Sequence, residues 1–407
     1  MKILWVKAGK ILPPDTGGKL RSYNTLRRLS TIHEVTFLSY YGGNSDQEYE
    51  REISRHLPGT ISVNTGVPEP TGSGRHVDYL RHLLSAAPYA VSRFTSAKVR
   101  QMVAELLDQR QFDVAICDFL ASAPNFPSRL PIPTILFQHN VESMLWKRRA
   151  QYAAELADRL ISSLEYKRML RYETAQVSRF HHVIAVSESD RQAMSHMTDS
   201  SRISVVPTGV DLDTYTYNSG LRPALPLVVF AGSMDWEPNI DGVEYFCKSI
   251  WPQVLAQQPK ARFRIVGRNP DARVKKLALP SVEITGTVAS VVDHLREAAV
   301  LVVPLRMGGG TRIKIYEGMA LGKATVSTLV GAEGLDVRHG HDIMLTDDPN
   351  RFAEYVATLL RDEGARRKYE LAAVRTARQY DWAVVAARFA EVVQKATQFS
   401  AEMPIVR

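Results

Sequence analysis

The sequence predicts an α/β protein made of two Rossmann-like domains, and three observations carry that reading. Short apolar runs alternate with amphipathic helical stretches over nearly all of the 407 residues, the pattern of parallel sheets covered by helices on both faces. Residues 207–226 (PTGVDLDTYTYNSGLRPALP) carry proline and glycine with no sustained apolar period, and they divide the chain near its middle. With 45% hydrophobic and 23% charged residues the composition is that of a globular protein, and the length suits two or three domains.

Before the divide, strands are expected at KILWV (2–6), EVTFLSY (34–40), DVAICD (113–118), TILFQ (134–138) and HVIAVS (182–187). After it they are expected at LVVFAG (227–232), RFRIVG (262–267), VEITG (282–286), VLVVPL (300–305) and ATVST (324–328). Each is a short apolar run bounded by turn residues, the form of a strand buried on both faces. The resulting plan is a first domain over 1–206, a linker over 207–226, a second domain over 227–380 and a C-terminal helix over 381–407. In that helix Val385, Phe389, Val392, Val393 and Ala396 share one face, which requires a partner surface and is expected to cross back to the first domain. From Val141 to Arg179 there is no Gly or Pro, and Ala153, Leu156, Leu160 and Leu164 form one stripe near the basic clusters Lys147-Arg148-Arg149 and Lys167-Arg168 with Arg171. Such clusters are ordinarily a solvated face; contact with anionic lipid or acceptor is the sharper reading. The segment 57–74 (LPGTISVNTGVPEPTGSG) reads as a mobile loop that lines the cleft or lies on the surface.

Composition excludes several classes. The two cysteines, Cys117 and Cys247, lie far apart in apolar runs without CxxC spacing, so buried thiols in a reducing, cytoplasmic setting are expected rather than a metal site. The start, MKILWVKAGK, is too short in apolar residues for a signal-peptide core. The longest strongly apolar run, AAVLVVPL at 298–305, is far below the roughly 20 residues of a membrane span. Lys plus Arg number 51 against 43 acidic residues, a net charge of +8, which favours nucleotides, diphosphates, acidic lipids or nucleic acid as partners. Aromatic and basic residues are not interleaved, so nucleic acid is not expected.

The densest motif is Arg306-Met-Gly308-Gly309-Gly310-Thr311-Arg312-Ile-Lys314-Ile-Tyr-Glu317. It follows a strand and opens a helix. Glycines admit a ligand close to the backbone, and free amides at a helix start bind phosphate oxygens with help from the helix dipole. Lys314 and Glu317 share one helical face, a cation beside the phosphates and a carboxylate one turn on that suits ribose hydroxyls. A nucleoside diphosphate is the ligand that combination fits. The glycines match neither GxGxxG nor GxxxxGK[ST], against a dehydrogenase or a P-loop NTPase.

The segment GGGTRIKIYEGMALGKATVSTLVGAEGL resembles the donor-binding segment of retaining glycosyltransferases of the two-Rossmann-domain (GT-B) type, family 4. Other matches run in that family's order: PPDTGG (13–18), QHN (138–140), AVSESDR (185–191), VVPTGVD (205–211), FAGSM (230–234) and VGR (266–268). The resemblance implies an N-terminal acceptor-side domain, a C-terminal nucleotide-sugar domain and an active site in the cleft between them. It implies catalytic roles for His139, Lys314 and Arg312, and donor contacts from Gly17, Gly18, Gly232, Ser233, Arg268, Gly309, Gly310, Thr311 and Glu317. Two departures stand out. The family's usual pair of glutamates has its second member at Glu317, but Gly309 stands at the first, so backbone amides of Gly309 and Gly310 are expected there. Asp235, Trp236 and Glu237 replace the Arg and Lys that often reach the diphosphate, leaving Lys314, Arg312 or Arg268 to supply the charge, Lys314 favoured. His181 and His182 precede a strand and read as structural. Asp211-Leu-Asp213 imitates a metal-binding DxD within the interdomain stretch, and no metal or other cofactor is expected.

The function implied is transfer of a hexose from a nucleotide-diphosphate sugar, with retention and without metal, to a glycan, lipid-linked or small-molecule acceptor. The protein would be cytoplasmic, peripheral on the inner face of an anionic membrane where the acceptor is lipid-linked. The alternatives are a nucleotide-sugar epimerase of the same fold, and a non-catalytic protein that binds nucleotide sugar or nucleic acid.

Overall fold

The computed structural model describes residues 1–67, 85, 87–109, 111–152, 155–220 and 223–402. It divides into two compact units, Met1–Pro207 with Val385–Arg407, and Thr208–Val384.

The first unit is built on β1 (Lys2–Ala8), β2 (Glu34–Tyr41), β3 (Thr60–Asn64), β4 (Val114–Asp118), β5 (Thr134–Phe137), β6 (His182–Ala185) and β7 (Ile203–Val205), in the order β3-β2-β1-β4-β5-β6-β7. The second carries β8 (Leu227–Ala231), β9 (Arg262–Val266), β10 (Val282–Gly286), β11 (Val300–Val303), β12 (Ala324–Ser327) and β13 (Met344–Leu345), in the order β10-β9-β8-β11-β12-β13. All pairings within these sheets are parallel. Each order reverses beside the unit's first strand, between β1 and β4 and between β8 and β11. In doubly wound sheets ligands bind outside the carboxyl ends of the strands at this switch point.

The sheets are buried on both faces, as their apolar strands require: Ile3, Leu4, Trp5 and Val6 of β1 and Val228, Val229 and Phe230 of β8 are shut from solvent. Helix Trp382–Glu402 buries Val385, Phe389, Val393 and Ala396. Phe389 stacks on Trp5 at 5.5 Å and meets Phe137 edge-on at 5.0 Å, so this helix covers the first unit's sheet.

Three sequence expectations are corrected. The segment 57–74 holds strand β3, where Ile61 and Val63 alternate with polar residues and pair with β2; its residues 68–74 lie outside the described residues. Residues 208–220 and 223–226 pack on the second unit instead of forming a separate linker, because Val210 is buried and Leu212 and Tyr215 lie against that unit's core. Residues 221 and 222 are outside the description. The stretch 141–179 is two helices, Glu142–Tyr152 and Leu156–Arg179, and Ala153 lies outside the described residues.

Candidate active site

In the second unit the chain leaves β11 at its carboxyl end, passes through the glycine segment and enters helix Ile313–Ala320. Gly308 (φ 104°) and Gly310 (φ 79°) adopt left-handed backbone that a side chain would resist. The helix has neither a side-chain cap nor an acidic residue in its first turn, although the Ile313 and Ile315 N–H groups already donate to the Thr311 and Arg312 carbonyls. Thr311 Oγ1 is buried without a hydrogen-bond partner among the described residues.

Arg312 serves the loop itself. Only 5% exposed, it donates to the carbonyls of Gly309 and Gly310 and lies over the Trp236 ring. Through Nη1, the guanidinium expected to meet the leaving group holds two carbonyls of the glycine segment.

Lys314 is placed differently. Its Nζ donates to Asn239 Oδ1 at 3.1 Å and sits 4.3 Å from the centre of the Phe230 ring. Asn239 in turn donates to the Ser233 carbonyl at 2.8 Å. Gly232, just past β8, leaves room for both: a Cβ there would stand 2.7 Å from Lys314 Nζ and 2.7 Å from Asn239 Nδ2. Arg306 and Arg273 of the same unit pair with Asp241 and Glu237, whereas Lys314 Nζ bonds an amide oxygen. Arg268 donates to Ser233 Oγ at 3.0 Å. Burial, and then Arg312, push the Lys314 ammonium down to about 7, against the pull of Glu317. Glu317 is half-buried, bonded by the Tyr215 phenol, and its carboxyl is pushed up by burial while Tyr215 and Lys314 oppose the shift.

A diphosphate beside Lys314 favours the ammonium, so binding should take up a proton above pH 7. Affinity should then fall as pH rises from 7, by at most about tenfold per pH unit. Calorimetry near about pH 8 in buffers of different ionisation enthalpy measures that uptake; an affinity flat from pH 7 to 9 would remove Lys314 from the phosphates.

In the first unit helix Gly17–Leu29 begins just beyond β1, again with no acidic first turn and no side-chain cap. Gly18 lies against His139, where a Cβ would stand 3.3 Å from Nδ1. His139 follows β5, is 4% exposed, and brings Nε2 within 2.8 Å of Asp118 Oδ1. Asp118 also accepts from Trp5 Nε1 at 2.8 Å and pairs with Lys7 at 3.2 Å. Burial pushes the imidazole down to about 4, overriding Asp118.

Asn239, Tyr215, Asp118 and Lys7 escaped the sequence reading. Lys7 and Asp118 carried a signal, since each is a charge at the carboxyl end of an otherwise apolar run. His181 and His182 bond Thr134 and Ser204, as structural histidines do. Asp211 binds its own turn through the Asp213 amide and the Thr214 hydroxyl. Among the described residues no group of three or more His, Cys, Asp or Glu is placed to hold a metal ion.

Comparison with known proteins bears on both units. Residues 20–214 match the family described as Glycosyltransferase Family 4, and residues 225–362 match Glycosyl transferases group 1. The chain is a family 4-like glycosyltransferase. The first stretch holds Asp118 and His139, the second Gly232 through Glu317. This glycosyltransferase is 21% identical over 371 residues, 87% of its length and 90% of the relative's, to an uncharacterized 44.6 kDa protein in the cps region of Klebsiella pneumoniae. It is 28% identical over 221 residues to the phosphatidyl-myo-inositol mannosyltransferase of Mycobacterium leprae (strain TN), covering 52% of this chain and 58% of that protein. Its fold matches Anabaena Alr3699/HepE in complex with UDP and glucose with a TM-score of 0.66, at 15% identity over 97% of this chain and 99% of that one. The architecture is that of the GT-B glycosyltransferases.

Proposed function

We propose that the enzyme moves a hexose from a nucleoside-diphosphate sugar to a nucleophilic acceptor, with retention at the anomeric carbon and without a bound metal ion. The observation that carries this reading is Lys314, packed by Gly232 and Asn239 beside a glycine segment and an uncapped helix start. As the glycosidic bond breaks, negative charge collects on the leaving diphosphate, and preorganised donors aimed at that charge lower the barrier. Lys314 and the amides of Gly309, Gly310 and Thr311 are those donors, and Glu317 accepts from the ribose hydroxyls. Retention is what the resemblance of the donor segment to retaining family 4 enzymes implies. A hexose donor is supported by the mannosyltransferase relative and by the UDP and glucose of the structural neighbour.

A thermal-shift panel of nucleoside diphosphates and their sugars tests the reading, since a ligand that binds only the folded state stabilises it by about 2.7 kcal/mol at a hundred times its Kd. One base should raise Tm, with its diphosphate and sugar conjugates active together. No shift across the panel at saturating concentrations would overturn the donor assignment, and interconversion of a donor sugar without acceptor would make the enzyme an epimerase.

For the acceptor, a lipid-linked molecule at an anionic membrane is the proposal. Leu156, Leu160, Ile161 and Leu164 are exposed on helix Leu156–Arg179, with Arg159, Lys167 and Arg171 also exposed on it. Among the described residues no helix is long and apolar enough to cross a membrane, so attachment would be peripheral. The protein should pellet with anionic vesicles at low salt and leave them at high salt. Equal behaviour toward neutral and anionic vesicles would exclude this surface.

A further inference from the structure

Lys7 and Asp118 face one another in register on β1 and β4, at the switch point of the first sheet. Both are buried. Packing alone does not ask for an ion pair there, since apolar residues would avoid the cost of desolvating two charges. Immediately after Asp118, Phe119 holds φ 73° and ψ 152°, a region that glycine enters and bulky residues resist. Its amide donates to the Phe137 carbonyl at 2.8 Å, and its ring reaches 5.3 Å from that of His139, with Phe137 on another side at 4.6 Å. Strand, strained turn and helix start thus converge on one imidazole.

We propose that Asp118, anchored by Lys7 and Trp5, is a positioning residue that keeps the His139 proton on Nε2 and so presents Nδ1, over Gly18, as a fixed hydrogen-bond acceptor for a sugar hydroxyl. The inference rests on the reading of the chain as an enzyme acting on a nucleotide sugar. An ionised carboxylate only accepts, so the ring nitrogen 2.8 Å from it carries the hydrogen, and the other nitrogen keeps its lone pair. At 2.8 Å the pair meets no hydrogen-bond geometry; catalytic hydrogen bonds commonly tighten when substrate is bound. Burial opposes the charge on Asp118, but Lys7 and His139 outweigh it and hold the carboxyl well below its ordinary range. Arg21 and Lys7 add to burial in keeping the imidazole uncharged. Nδ1 has no partner among the described residues, and the missing Cβ of Gly18 leaves the space beside it open.

Long-range ¹H–¹⁵N correlation NMR on the full chain at about pH 7, assigned with His139→Gln, reads the tautomer directly. Nε2 should be protonated and Nδ1 bare; the reverse tautomer, or a rapidly exchanging mixture, would overturn the proposal. In turnover, His139→Asn sets an amide oxygen near the place of Nδ1 and should retain more kcat than His139→Gln, whose amide reaches the place of Nε2; equal activities would count against it. Asp118→Asn should release the tautomer and lower kcat about 10- to 100-fold with little change in KM, the range seen on removing partners that orient metal-bound histidines. Gly18→Ala should crowd Nδ1 and cut activity without lowering Tm, because alanine favours the helix. Should Asp118→Asn fail to fold, the wild-type spectrum and the Asn/Gln pair still decide. The spectrum needs no substrate, so its failure leaves the donor assignment standing, while an empty thermal-shift panel would remove that assignment whatever the tautomer.

Discussion

Lys314→Ala should lower kcat for donor turnover by about 10²- to 10³-fold, the usual loss on removing one preorganised partner of a developing charge, while the chain stays folded. The side chain is held before substrate arrives, by the Asn239 oxygen and the Phe230 ring. A contact of equal strength in ground and transition states would change KM alone, whereas one that strengthens as the diphosphate departs lowers kcat. The depressed ammonium sharpens this difference, because growing negative charge is what restores its proton affinity. Lys314→Arg should recover only part of the rate. Gly232 and Asn239 leave space for a compact ammonium, and a planar guanidinium is larger. A variant with unchanged kcat and raised KM would make Lys314 a donor-holding group only.

Glu317→Ala should weaken nucleoside-diphosphate binding about 10- to 100-fold, since a hydrogen bond to a charged group contributes about 1.5 to 3 kcal/mol. The alanine also leaves the Tyr215 phenol without its acceptor. Glu317→Gln keeps an oxygen for Tyr215, so comparing the two variants separates the ribose contact from the local one. The loss should appear in KM and Kd more than in kcat, because ribose hydroxyls do not change charge during transfer. Titration calorimetry of the folded variants gives the answer; unchanged diphosphate affinity in both would remove Glu317 from the site.

Much of the fold was legible because buried parallel strands are written as unbroken apolar runs, as in Leu227–Ala231 and Val300–Val303. Strands β3, β7 and β13 were not. Thr60–Asn64 alternates within a proline- and glycine-rich stretch, and β7 and β13 are too short to show a period. The first domain's end near residue 206 lies one residue from the division after Pro207, whereas the packing of 208–220 was hidden because Val210, Leu212 and Tyr215 are single apolar residues among turn formers. In the site, the glycine segment was legible because its chemistry is local to the helix it opens. The hydrogen bonds of Arg312 to the Gly309 and Gly310 carbonyls were not legible, since a sequence does not show which arginines bond their own loop. Asn239 and Asp118 were missed because their partners, Lys314 and His139, stand on other elements.

On the proposed mechanism, cationic and amide donors of the protein, not a metal ion, stabilise the leaving diphosphate of a nucleotide sugar. The most direct test is release of nucleoside diphosphate from the donor identified in the thermal-shift panel, followed with and without EDTA, for the wild type and for Lys314→Ala. The wild type should turn over at the same rate in chelator, and the variant should be slow in both conditions. If EDTA abolishes turnover while Lys314→Ala keeps its kcat, the metal-free mechanism is wrong and the pair Asp211 and Asp213 becomes the first place to look for a cation.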